Sequence, residues 1–463
     1  MIPTQPIPNY VSEVLTDRIT FCMREFCDML IHCVIRFNSH IHADQMEKAF
    51  HLCMKAEPIL GCRILDSSSF KMNWLYRQDL DTMTLCPVRP SHHLNQDINQ
   101  FLIIPMDPFQ GPQVQAVIFR DLYTDTLCIK VNHGIADAGG VKELVYLLAA
   151  LYNKLSSDTN YQPPLNKGSR SLKQIYQQFS MIEYITIFQG MIANLKTDSF
   201  ALLNKIYMDQ LYEKNKNYRF WTLPLPYKNQ TDRSFVIKRI EPELFRAMHT
   251  YAKSYQATLN DIMVTAFFRA LYRMIQPDPM DILNIVGTVD LRRYLPQKKA
   301  QAICNMSGFV HVNIGRFLGN TFQDTLIRVR NRMNTCKQQG YMGLYDFPSC
   351  VPYKFLPFSF VQRILSSIFN HVFLGDRILP PSVTNMGIIH LGKHAFSGLE
   401  IDDAFLTAPV LYPQILGIGL SGFQESLTMS CGFCGSEVNR AIVNQLFEWV
   451  VEELVTNTKC PES

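Results

Sequence analysis

The sequence predicts an α+β protein, mixed sheets with flanking helices, on three observations. Short apolar or alternating runs suited to strands occur at Met29–Phe37, Leu127–Val131, Ser234–Ile240 and Leu427–Phe433. Apolar residues at helical spacing recur at His42–Ala56, Val141–Leu155 and Val438–Val455. With 463 residues, 47% hydrophobic and 18% charged, the chain can bury a large core and has the length for two or three domains or lobes.

Met29–Phe37 reads as the first strand, followed by His42–Ala56 as an amphipathic helix and by Glu57-Pro58-Ile59-Leu60-Gly61-Cys62-Arg63. Asp107-Pro108-Phe109-Gln110-Gly111-Pro112 lies ahead of the next strand run. Leu127 to Val131 suit a largely buried strand, and after it the period changes: Val141, Leu144, Leu147, Leu148 and Leu151 lie on one helical face, so Ala138–Gly140 mark a tight strand-to-helix turn. Polar residues from Ser156 to Arg170, with Pro163 and Pro164, form a connector into a long helical region, Ile175–Tyr212. The alternation of Ser234–Ile240 opens a further lobe, in which Ala257-Thr258-Leu259-Asn260-Asp261-Ile262-Met263 starts a helix running to about Ile275. The expected organisation is a first lobe over 1–166, a connector and helical region over 167–232, and a second lobe over 233–463.

The stretch that carries chemistry is Val131-Asn132-His133-Gly134-Ile135-Ala136-Asp137-Ala138-Gly139-Gly140. A strand-to-helix turn exposes a side chain at the edge of a rigid sheet. An imidazole there can take a proton from a hydroxyl or amine near neutral pH and return it to a leaving thiolate, which is general-base chemistry. Two plainer readings compete: His133 as a satisfied histidine at a strand end, and Asp137 as the cap of the following helix. His92-His93-Leu94-Asn95-Gln96-Asp97 fits a similar pattern, but it follows Pro87, Pro90 and Ser91 instead of an apolar strand and lacks the glycines, so it reads as a solvated loop.

These segments and their order resemble the superfamily of CoA-dependent acyltransferases that contains chloramphenicol acetyltransferase, alcohol acetyltransferases, the plant acyltransferases and peptide synthetase condensation domains. The resemblance rests on Glu57–Arg63, on Asp107–Pro112, on His133 to Asp137, on the "T-x-N-D" helix at Thr258–Asp261, and on Thr288-Val289-Asp290-Leu291-Arg292-Arg293-Tyr294-Leu295-Pro296 with Cys304-Asn305-Met306-Ser307-Gly308. It implies two chloramphenicol-acetyltransferase-like lobes with an active-site tunnel between them. It implies His133 as the base, Asp137 as the structural partner of the turn, and Arg292, with Arg293 second, as the counter-ion of Asp137. Thr384 or Asn385, in Val383-Thr384-Asn385-Met386-Gly387, and Asn132 are candidates for oxyanion or substrate contact, and Gly139 and Gly140 serve the turn. Asn132 stands where many members have a first histidine, Ala138 precedes the glycines, and the D-F-G-W-G segment of the plant branch is absent.

The implied function is transfer of an acyl group from acyl-CoA, a co-substrate and not a bound cofactor, to the hydroxyl or amine of a small or lipid-like acceptor, with no metal required. The alternatives are a free-standing condensation enzyme taking its donor from a carrier protein, and a non-catalytic binding protein of the same fold. Gly417-Ile418-Gly419-Leu420-Ser421-Gly422 matches a dinucleotide pattern, but Leu427–Phe433 after it reads as a strand, so a hairpin or bulge is expected. Cys431 and Cys434 read as two thiols of that strand. Thirteen scattered cysteines, an amino terminus without basic and apolar leader regions and no apolar run near ~18 residues suggest a cytoplasmic protein with reduced thiols. The net charge of +4 gives no argument for nucleic acid. Apolar Phe179–Ala193 and Phe355–Phe373, the latter with Lys354, Arg363 and His371, suit either a tunnel wall or peripheral membrane contact.

Overall fold

The computed structural model describes residues 6–65, 72–192, 221–223, 225, 232–345, 347–368, 380–412, 416–435 and 437–458. Two large sheets organise them. The first has five strands in the order Ile401–Thr407, Leu30–Phe37, Asp125–Asn132, Val114–Arg120 and Val88–Pro90. Its pairings are antiparallel except the last, where Val88–Pro90 runs parallel to Val114–Arg120. The second has six strands in the order Ser307–Gly315, Leu283–Asp290, Ser382–Ile389, Gly417–Phe423, Ser426–Cys434 and Arg233–Ile240. Here Ser382–Ile389 is parallel to both neighbours and the remaining pairs are antiparallel. A small third sheet joins Tyr10–Val11, Asn73–Tyr76 and Cys62–Leu65. The mixed sheets and their covering helices are the α+β fold expected from the sequence.

Burial on both faces accounts for the continuous apolar run in Asp125–Asn132, every residue of which is buried. Leu127, Ile129 and Val131 pack in one core with the helices Ala43–Ala56 and Ala138–Ser157. Cys128 packs in another with Phe101, Phe119, Phe235 and Phe405. Phe235 comes from the second sheet, so the two sheets meet there. The second sheet is covered by the helices Leu259–Ile275, Phe322–Gln338 and Glu437–Thr458, whose apolar faces share its core. Thr258 and Asp261 of the T-x-N-D segment form a capping box at the first of these: the Asp261 amide donates to Thr258 Oγ1 at 3.2 Å, and the Thr258 amide donates to Asp261 Oδ2 at 2.8 Å.

Four sequence expectations change. The segment 233–463 is not one lobe, because Ile401–Thr407 leaves it to pair antiparallel with Leu30–Phe37 and completes the edge of the first sheet. A strand that crosses between sheets satisfies an exposed edge, and no local pattern announces it. The helical region from Ile175 is not continuous: a helix over Lys173–Tyr176 ends before a second over 181–192, and the expected remainder to Tyr212 lies outside the described residues. His92 and His93 are exposed as expected, but they precede the helix Leu94–Ile103, and Asp97 accepts from Ser91 Oγ at 2.6 Å. The glycines at 417–422 lie inside a buried strand whose hairpin turn is at Gln424 and Glu425. Gly419 is there for close packing, since a Cβ would come within 2.8 Å of both Met386 Cε and Ser430 Oγ. Among the described residues no helix is long and apolar enough to cross a membrane.

Candidate active site at the seam between the lobes

The strand Asp125–Asn132 delivers His133 at its end, and the amide of His133 donates to Met29 O at 2.7 Å. Asn132, proposed from sequence as a substrate contact, is buried and fully engaged within the first lobe. Its Oδ1 accepts from the Gly134 amide at 2.7 Å and its Nδ2 donates to Gln113 Oε1 at 2.8 Å. Gln113 in turn donates to Cys62 O and Pro108 O, both at 2.9 Å. A short amide side chain here makes an Asx-type turn and anchors it, which is why this position is structural.

The His133 ring is half-buried, and its Nδ1 faces two oxygens: Ala136 O at 3.1 Å and Asn305 Oδ1 at 3.2 Å. Asn305 is itself oriented, because its Nδ2 donates to His133 O at 2.8 Å and Gly134 O at 3.2 Å. The amide is therefore fixed with oxygen toward the ring, and two acceptors at Nδ1 place the imidazole proton there. Nε2 is left with its lone pair, the form a general base requires. The tautomer is assigned from this network.

Asp137 caps the helix Ala138–Ser157, accepting from the Gly140 amide at 2.8 Å. The cap reading and the ion-pair reading hold together. Arg292 donates Nη2 to Asp137 Oδ1 at 2.8 Å and Nη1 to Oδ2 at 3.0 Å, with both side chains about 4% exposed or less. The Met306 amide and Ser307 Oγ add donors to Oδ2 at 2.7 and 3.1 Å. Burial alone would raise the Asp137 carboxyl, but the Arg292 charge and these hydrogen bonds outweigh it and hold it well below the usual carboxylate range. The same pairing holds Arg292 above its ordinary value against burial. The carboxylate is thus consumed in holding the turn against the Arg292–Ser307 segment.

Gly139 and Gly140 are needed for approach. Both lie in the first turn of a helix with ordinary backbone, so conformational freedom is not the reason. A Cβ on Gly139 would overlap the Arg292 guanidinium, and one on Gly140 would come within 2.9 Å of Cys304 O and Ala136 Cβ. Arg293, the second candidate counter-ion, is exposed, with its guanidinium 5.8 Å from the Tyr294 ring centroid. Asn385 is exposed too, donating to Asn260 Oδ1 at 3.0 Å and accepting from the Gly387 amide at 2.9 Å; Thr384 beside it is half-buried. Both belong to the second-sheet strand Ser382–Ile389, whereas His133 is bonded to Asn305 and Asp137 to Arg292.

Two residues of the site escaped the sequence reading. Asn305 lies in the N-x-x-G segment, whose spacing is explained by Gly308 packing on the backbone of Gly343, but nothing in the pattern tells which way its amide points. Arg170, from the connector, makes a buried pair with Asp17, two bonds at 2.8 Å, and also donates to Ile303 O at 3.1 Å and Ile135 O at 3.3 Å. It ties the connector, the amino-terminal helix Leu15–Cys22 and the His133 turn together.

No protein-family model matches the sequence, and no curated protein sequence does. Solved structures do match over nearly the whole chain. The first condensation domain of the CDA synthetase is 12% identical, with 97% of each chain covered and a TM-score of 0.67. Polyketide synthase associated protein 5 from Mycobacterium tuberculosis is 13% identical, with 100% of each chain covered and a TM-score of 0.65. The TRI3 trichothecene 15-O-acetyltransferase from Fusarium sporotrichioides is 11% identical, with 96% of this chain and 95% of that one covered and a TM-score of 0.64. The chain therefore shares the fold of these condensation-domain and acetyltransferase structures.

Proposed function

We propose that the protein transfers an acyl group from an acyl-CoA thioester to the hydroxyl or amine of a small or lipid-like acceptor, with His133 as the base. The observation that carries this reading is the His133 imidazole, its Nδ1 proton held by Ala136 O and Asn305 Oδ1 and its Nε2 free to accept. As the acceptor oxygen or nitrogen attacks the thioester carbonyl, its proton passes to Nε2. The tetrahedral intermediate collapses with cleavage of the C–S bond, and the proton leaves on the CoA thiolate. Both substrates are present together, no acyl-enzyme forms, and Thr384 or Asn385 remains the candidate donor to the oxyanion.

Exposed Arg293 and Lys298 near the Asp290–Arg292 contact favour a phosphate-bearing donor such as CoA. A lipid-like acceptor is favoured by exposed Met181, Ile182, Phe188, Phe355 and Phe360, which would also suit peripheral membrane contact. The test is a panel of acyl-CoAs against pooled alcohols and amines, with the acylated product identified by mass. Product from at least one pair, absent in folded His133→Ala, is the expected result. Product only with a carrier-protein-bound donor would replace CoA in this reading, and none with either would favour a non-catalytic protein.

A further inference from the structure

The crossing strand Ile401–Thr407 and the chain after it run beside Leu30–Phe37 and the residues before it, but the pairing is broken at one point. Thr407 faces His32, and beyond the break Cys27 faces Leu411 in an isolated antiparallel bridge, with the Tyr412 amide donating to Phe26 O at 2.6 Å. Between these two points lie Asp28 and Met29. Met29 has a φ of 56°, in the left-handed region that a side chain disfavours. It is buried, whereas the other non-glycine residues of positive φ among the described residues are exposed. The turned backbone brings Met29 O to the His133 amide, which donates to it at 2.7 Å just past the register in which Leu30 faces Asn132.

Asp28 supplies what holds Met29 in this conformation. Its Oδ1 accepts from the Leu30 amide at 3.2 Å, closing an Asx turn around Met29. The same oxygen accepts from the Val410 amide at 3.0 Å, and the Asp28 amide donates back to Val410 O at 3.0 Å, so the turn is tied to the crossing chain. Strained backbone of this kind persists only where its surroundings over-determine it. Oδ2, in contrast, is buried without a hydrogen-bond partner among the described residues. Burial raises the carboxyl to about 7 against the charges of Arg233 and Lys130, so the acceptor at Oδ1 matters here more than the negative charge.

We propose that Asp28 is a positioning residue for the reaction, fixing the His133 backbone through the Met29 carbonyl and so the place of the imidazole at the seam. Asn305 holds the ring from the second lobe, and Asp28 holds the backbone from the first. The inference rests on the reading of His133 as the base.

Steady-state kinetics and amide hydrogen exchange followed by mass spectrometry, both on the full chain, test it. Asp28→Ala should lower kcat about 10–100-fold with KM little changed, because a small displacement of a reacting group is costly. It should also speed exchange across 133–136 by at least ~10-fold while 127–131 stays as protected as in the wild type. Asp28→Asn keeps Oδ1 and should recover kcat to within about threefold of wild type. If Asp28→Ala does not fold, Asp28→Glu, which keeps the charge but moves the oxygen by one methylene, decides by the same readouts. Unchanged kcat, unchanged exchange across 133–136, exchange raised equally across 127–131, or Asp28→Asn as impaired as Asp28→Ala overturns the proposal. Faster local exchange in a protein that transfers no acyl group would leave the placement of His133 standing and refute the acyltransferase reading, whereas transfer that Asp28→Ala leaves unchanged would do the reverse.

Discussion

Replacing Arg292 with methionine keeps most of the side-chain volume and removes the charge that faces Asp137. Asp137 is 2% exposed and accepts five hydrogen bonds; the substitution deletes the two from the guanidinium and leaves those from Gly140, Met306 and Ser307. It also frees Cys304 O, which accepts from Arg292 Nη2 at 2.9 Å. Breaking a buried pair from one side costs about 3–5 kcal/mol, because the remaining charge is stranded. That is a large share of the ~5–15 kcal/mol that keeps a typical domain folded. Asp137→Asn combined with Arg292→Met removes both charges and should cost less than the sum of the single changes, so a double-mutant cycle isolates the coupling. The pH dependence has a definite sign. In the wild type the depressed Asp137 carboxyl contributes stability that is complete above the ordinary carboxylate value and is lost as pH falls through its lower folded value. Without Arg292 burial dominates and raises the carboxyl, so acidification neutralises the stranded charge and relieves the penalty. Urea unfolding at pH 7.5 and 4.5 should therefore show a gap between wild type and Arg292→Met that narrows at the lower pH. A gap below about 1 kcal/mol at pH 7.5, or one that widens on acidification, would refute the pairing argument.

Asn305→Ala should lower kcat on the order of 100-fold with KM little changed, because it frees the His133 ring to turn and removes one of the acceptors that fix its tautomer, as steady-state kinetics would show. Gly139→Ala should destabilise by about 1–3 kcal/mol, since its Cβ meets the Arg292 guanidinium, whereas Gly392→Ala, with open space around it, should be nearly neutral in the same melting experiment. Arg170→Met should cost about 3–5 kcal/mol by stranding buried Asp17, and should reduce activity through the Ile135 and Ile303 contacts. Burial pushes the Cys27, Cys33, Cys62, Cys304 and Cys431 thiols up to about 12, so at pH 8 a colorimetric thiol reagent should titrate them only after unfolding.

What the sequence displays and what it hides divide along the range of the interactions. The strand ending at Asn132, the turn and the helix from Ala138 are legible because burial and helical periodicity are written into consecutive residues. The Asp137–Arg292 pair spans 155 positions, and only the resemblance of the segment order to that of the acyltransferase superfamily pointed to it. Asn305 and the Asp17–Arg170 pair stayed hidden because a hydrogen-bond direction and an ion pair 153 positions apart leave no periodic trace. Asn132 looked like a substrate contact beside the histidine, yet the end of a strand is where a short amide holds a turn. Gly139 and Gly140 were legible as glycines, but their causes are the Arg292 guanidinium over Gly139 and the Cys304 carbonyl beside Gly140, contacts that exist only after the two lobes meet. For the same reason the crossover of Ile401–Thr407 into the first sheet could not be read from its own residues.

The most direct test of His133 as the base is acceptor-dependent thiol release from the best acyl-CoA pair, compared between wild type and folded His133→Ala at equal concentration. General-base catalysis of this kind contributes roughly 10²–10⁴-fold, so the variant should fall by at least 100-fold in kcat. Release by the variant within about threefold of wild type, a difference of only ~0.7 kcal/mol in barrier, would contradict the role assigned to His133.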